Sequence, residues 1–134
     1  MHNSFAWALI RATAGLCLAY GHGLPKLQRD MSGFASAVAE LGFPAPLFFA
    51  WCATLTELVG GVLIALGLFT RPMGALAAFT MAVALFQHRA DAFRSLELPL
   101  IYFTIFIGAM LVGSGRYGLD ARLKLPGLLG RLQR

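Results

Sequence analysis

Long apolar runs alternate with short polar breaks along this chain, and the breaks define the elements. The first run extends from Phe5 to about Leu24, interrupted by Arg11 and His22, and ends at Gly23, Pro25 and the polar cluster Lys26, Gln28, Arg29 and Asp30. The segment 31–43 is mixed: Phe34, Val38 and Leu41 recur every three to four residues, which predicts a short amphipathic helix lying at an interface. Pro44 and Pro46 open the second run, and Gly67 to Arg71 close it. Pro72 stands at the first position of the third run, where a missing N–H is harmless. That run ends near His88 and Asp91, and the fourth reaches from about Leu96 to Val112, where Gly113, Ser114 and Gly115 stop it. Spans are thus expected at about 5–24, 46–68, 72–88 and 96–112, followed by a basic tail over 113–134.

A helix of about 20 apolar residues matches the ~30 Å hydrocarbon core of a bilayer. The composition agrees: 58% of the 134 residues are hydrophobic and 13% charged, where soluble domains carry about 25% charged residues. The expected fold is all-α: one domain over 1–134, an integral membrane four-helix bundle with a short interfacial helix between spans one and two. Small residues such as Ala12, Gly15, Gly60, Gly61 and Gly74 supply the close helix contacts that packing in lipid requires. The N-terminus lacks the basic segment and small-residue cleavage site of a secretory leader, so the first run is expected to remain a helix.

The net charge of +5 is concentrated near the end, in Arg116, Arg122, Lys124, Arg131 and Arg134. With Arg71 these make six cations on the side of the termini, against Lys26, Arg29, Arg89 and Arg94 on the other. The positive-inside bias then places both termini in the cytoplasm of a multi-pass inner-membrane protein. No basic stripe with interleaved aromatics points to nucleic acid. The bilayer itself is the first partner, and the leucine–cation alternation of the tail suits the cytoplasmic leaflet.

Candidate chemistry lies in the charges that interrupt the apolar runs. Glu57 is the sole charge between Ala45 and Thr70, and a carboxylate at that depth costs about 2.5–3.5 kcal/mol unless it finds a partner. Uniform helical rise from the cytoplasmic edge puts Arg11 at ~9 Å and Glu57 at ~13 Å, which predicts an intramembrane Arg11–Glu57 ion pair. Such a pair either locks the bundle or marks a site. A second polar cluster of His22, Lys26, His88, Arg89 and Glu97 falls near the outer boundary, where imidazoles and a carboxylate can exchange protons with a carbonyl or hydroxyl; interfacial anchoring is the plainer account of Lys26 and Arg89.

Glu57, His88 and Glu97 are therefore the catalytic candidates, and Arg11, His22, Lys26, Glu57, His88 and Glu97 the ligand-binding ones. Cys17 and Cys52 reach similar depths and read either as packing residues or as a thiol pair working against quinone. Phe48, Phe49, Phe69, Phe79, Phe86, Phe103 and Phe106 either line an apolar pocket for an isoprenoid tail or face lipid. No metal-ligand spacing is present.

Arg11 and Gly15, Gly23 and Lys26, Leu41-Gly42-Phe43-Pro44, the run Glu57-x-x-Gly60-Gly61-x-Leu63-x-x-Leu66-Gly67-Leu68-x-Thr70-Arg71, and Gly113-x-Gly115 before Leu119-Asp120 together resemble the DoxX family of small four-helix membrane proteins. The resemblance implies a four-span inner-membrane protein and makes quinone- or thiol-linked redox chemistry the leading expectation. It carries Gly60, Gly61, Thr70, Arg71 and Asp120 as pattern residues. No haem, flavin or iron–sulfur signature accompanies it, so electron transfer is left to a redox enzyme partner, and quinone is the one cofactor expected. Two alternatives stand beside this: a non-enzymatic scaffold or assembly factor, and a small transporter, which needs a homo-oligomer to build two-sided access.

Overall fold

The computed structural model describes residues 2–123 and 130 and is all-helical over them. Five helices follow in order: α1 (residues 2–28), α2 (Met31–Glu40), α3 (Pro46–Leu66), α4 (Thr70–Gln87) and α5 (Phe93–Val112), with a 3₁₀ turn at Leu119–Ala121. A helix occupies each of the four apolar runs, and α2 fills part of the mixed segment. Two of them, α3 and α5, are long and apolar enough to cross a membrane; α1 carries Arg11 and His22, and α4 opens on Thr70-Arg71-Pro72. Of the basic tail, 124–129 and 131–134 lie outside the described residues.

Both α1 and α3 contain one π-helical turn, Ala19–Gly23 and Thr56–Gly60. The first precedes Pro25, which has no N–H to return to the preceding turn. The widened turn instead lets Leu24 N–H donate to Ala19 O. Such turns inside α-helices cluster at functional sites, and no hydropathy pattern announces them.

Glycines set the helix separations. A Cβ on Gly15 would stand 2.4 Å from Gly61 O, and one on Gly61 would stand 2.7 Å from Gly15 O, so α1 and α3 touch backbone to backbone there. Gly74 does the same for α4 against Met110 N and Phe106 O of α5. Between these contacts lies the core: Ala14 and Leu18 from α1, Ile64 from α3, Ala77, Ala78 and Met81 from α4, and Tyr102 and Phe106 from α5. A second cluster joins Met31 and Val38 of α2 to Ala50 of α3, so α2 buries its apolar face on α3. Asp30 caps α2, accepting from Ser32 N at 3.2 Å and from the Ser32 hydroxyl. The outer faces of all four long helices remain apolar: Leu9, Leu55, Phe86 and Leu111 are each about half exposed or more.

One end of the bundle is closed by three charged side chains that satisfy helix termini from elsewhere in the chain. The last carbonyls of a helix and its first amides lack partners within it. Arg11 Nη1 donates to Ile64 O and, at 2.9 Å, to Ala65 O, at the end of α3. Arg71 Nη1 donates to Met110 O at 3.2 Å and Leu111 O at 2.8 Å, at the end of α5. Asp120 accepts from Phe69 N at 2.8 Å and Thr70 N at 3.0 Å, at the start of α4, and its own N–H donates to Gly67 O. Each placement matches the sign of the helix dipole at that terminus. Gly67 and Phe69 have φ of 72° and 50°. The second is costly for a bulky residue and persists only where neighbours enforce it; Asp120 does so.

Candidate functional site

The expected Arg11–Glu57 ion pair is not formed. Arg11 is spent on the carbonyls of Ile64 and Ala65. Glu57 pairs instead with Lys26, Nζ to Oε1 at 2.7 Å. The two helices are offset along their axes, so uniform rise from a shared edge does not bring these residues level. The start of α1 runs past the end of α3 and packs on the segment after α5: Trp7 Nε1 donates to Gly113 O at 3.0 Å, and the Phe5 ring meets Tyr117 edge-on. Arg11 therefore sits level with the last turn of α3, while Glu57 lies seven residues earlier, about 10 Å along the axis.

The π turns bring Lys26 to Glu57. They lie against each other where α1 and α3 cross, and Gly23 makes this possible: a Cβ there would stand 2.5 Å from Leu58 N. His22 belongs to the first π turn and Glu57 to the second, with Lys26 one turn further along α1. The Glu57 side chain is 3% exposed and that of Lys26 30%. Lys26 Nζ also lies 4.5 Å above the centroid of the Phe34 ring, a cation–π contact from α2. Oε2 of Glu57 is buried and has no hydrogen-bond partner among the described residues.

This pair stands on the wall of a cavity of ≈ 710 Å³ enclosed by all five helices, within the usual range for small-molecule sites. The sequence candidates His22, Lys26, Glu57 and His88 all border it. Arg11 does not, lying at the closed end. Glu97 is exposed on α5 and does not border it either. His88, half-buried, bonds Asp91 through Nδ1 at 2.6 Å. Tyr102, absent from the sequence candidates, borders the cavity with its ring edge-on to His22 and stacked on Phe106. The signal for it was available: Tyr102, Phe106 and Ala109 form one buried helical stripe on α5.

Of the phenylalanines, Phe49 and Phe79 border the cavity, Phe48 and Phe86 point mostly outward, and Phe106 is core. Cys17 and Cys52 are both free and exposed; Cys52 borders the cavity and Cys17 does not. Among the described residues no group of His, Cys, Asp and Glu is arranged to hold a metal.

The pattern residues lie apart from this cavity. Gly61 sets the α1–α3 contact, Arg71 and Asp120 close helix termini, and Thr70 is fully buried at the start of α4.

The DoxX family model matches residues 6–90. A Bacillus subtilis (strain 168) protein named "Putative oxidoreductase CatD" is 32% identical over 124 residues, 90% of each chain. The Escherichia coli (strain K12) "Inner membrane protein YphA" is 37% identical over 67 residues, 49% of this chain and 47% of that one. No solved structure matches significantly.

Proposed function

The chain belongs to the DoxX family of membrane proteins, and on that premise we propose that it is a four-span inner-membrane protein whose cavity binds a small hydrophobic ligand of quinone type for a redox partner. The observation that carries the reading is the Lys26–Glu57 pair, buried on one side and lining a cavity with apolar walls. Four crossings are supported by the exposed apolar side chains on α1, α3, α4 and α5 alike, a surface that suits lipid and not water. The cation count favours cytoplasmic termini, and the cavity then opens toward the outer leaflet.

The lining fits a quinone ring. Its carbonyls need donors, which the Lys26 ammonium and the His22 imidazole provide, and its hydroxylated form needs an acceptor, which Glu57 Oε2 provides. The ring chemistry of the ligand would supply the redox capacity. The chain's own groups bind, orient and hold protons at Glu57 and His22. The name of the Bacillus relative, an oxidoreductase, points the same way.

The scaffold alternative draws on one observation: Arg11, Arg71 and Asp120 are spent on helix termini at the closed end. Native mass spectrometry of the gently solubilised protein decides between them. A bound quinone-sized mass, lost in Lys26→Met, supports the ligand reading. A stoichiometric partner protein with no small molecule, unchanged in Lys26→Met, supports the scaffold.

A further inference from the structure

Glu57 has one oxygen committed and one idle. Oε1 accepts from Lys26, whereas Oε2 is buried, has no hydrogen-bond partner among the described residues, and belongs to a residue on the cavity wall. Buried carboxylate oxygens are almost always satisfied, because desolvation without a hydrogen bond is costly. Arg11 is held at the far end by carbonyls, and among the described residues Lys26 is the cation that pairs with Glu57. A molecule in the cavity that pairs with Oε2 has to donate to it. The surroundings narrow it further. Phe34, Phe49, Phe79 and Tyr102 border the same cavity, and aromatic rings there suit a flat ring in stacked or edge-on contact.

We propose that Glu57 Oε2 accepts a hydrogen bond from a ring hydroxyl of the bound molecule, so that the cavity selects aromatic amphiphiles carrying a hydroxyl, and a quinol over the corresponding quinone. This rests on the ligand-binding reading above and adds a preference to it. A quinone carbonyl placed at Oε2 would set two acceptors against each other, whereas a ring hydroxyl there donates. The hydroxylated form satisfies both carboxylate oxygens together.

The test needs no redox cycling. A para-alkylphenol and its O-methyl ether share ring and tail, but only the phenol donates. Binding of each to the purified full-length protein in detergent micelles or nanodiscs is measured by quenching of the intrinsic tryptophan and tyrosine emission, and independently by native mass spectrometry. The phenol is expected to bind at least about tenfold more tightly, as for a hydrogen bond to a charged acceptor. The double variant Lys26→Met/Glu57→Leu, which replaces the pair by apolar groups of similar volume, is expected to bind both compounds with equal affinity.

Infrared difference spectra of the parent protein supply a readout without substitution: the carboxylate stretch shifts with the phenol and stays put with the ether. Equal affinity of the parent for phenol and ether, with an unmoved carboxylate band, overturns the proposal and leaves the ligand-binding reading standing, with Oε2 hydrated. Binding of neither compound overturns both.

Discussion

The contact between α1 and α3 at Gly15 sets the geometry of the cavity, and a single methyl group tests it. In Gly15→Ala the new carbon would lie 2.4 Å from Gly61 O and 2.8 Å from Ala65 N, roughly 1 Å inside ordinary van der Waals contact. Neither neighbour is a flexible side-chain end, so the helices themselves must part. Overpacking of this kind costs about 1–3 kcal/mol. Parting the helices also stretches the bonds from Arg11 to Ile64 O and Ala65 O, charge-assisted bonds each worth up to about 1.5–3 kcal/mol.

A loss of about 3 kcal/mol is therefore expected for Gly15→Ala, a fall in unfolding midpoint on the order of 10 °C for a domain of this size. The assay is thermal unfolding in a fixed detergent, followed by circular dichroism and by tryptophan emission. Gly33→Ala is the internal control. Gly33 lies within α2 with nothing near the position of an added Cβ, and the change is expected to stabilise by roughly 0.5–1 kcal/mol through helix propensity. A Gly15→Ala protein as stable as its parent would refute the backbone contact between α1 and α3, and with it the placement of Lys26 beside Glu57.

Three further outcomes follow from named contacts. Glu57→Leu alone strands the Lys26 ammonium and is expected to destabilise by about 2–3 kcal/mol, below the 3–5 typical of fully buried pairs because Lys26 is partly exposed; the double variant Lys26→Met/Glu57→Leu is expected to recover most of that loss in the same thermal assay. Asp120→Ala removes the remote cap of α4 and is expected to cost about 1–2 kcal/mol, with faster hydrogen exchange at Phe69 and Thr70 as its local signature. Asp30 is held below the ordinary aspartate value of 3.8, first by the Ser32 hydroxyl and then by the Ser32 amide. A lowered folded pKa contributes stability that is fully present above 3.8 and lost as pH falls through the folded value. Amide exchange in the first turn of α2 is therefore expected to quicken on acidification below pH 4, and Asp30→Asn to flatten that dependence.

Much of the helical layout was legible in the sequence because it depends on local quantities. Runs of apolar residues, Pro46 and Pro72 near helix starts, and Gly67 and Gly113 after helix ends each act within a turn or two, and a helix lies over every run. The site was legible in part. His22, Lys26, Glu57 and His88 were singled out by charge within or beside apolar runs, and one cavity borders all four. The partner of Glu57 was misassigned because it depends on the axial offset between α1 and α3, which is set by Gly15, Gly23 and Gly61 in close contact and by the tail packed under Trp7. Hydropathy carries no information on such offsets. The π turns were invisible for a related reason: one extra residue in a turn changes which faces meet without changing composition.

The capping role of Asp120 has a consequence for the order of assembly. The corner between α3 and α4 holds Gly67 and Phe69 in left-handed backbone conformations, and the carboxylate that steadies it lies fifty residues downstream of Thr70. While the chain is being made, that corner must wait, uncapped, until α5 has been made and the segment beyond it has folded back. Closure of the ring from residue 67 to residue 120 is thus a late event in biogenesis, and a nascent chain stopped short of Asp120 would present a strained bend with two idle amides.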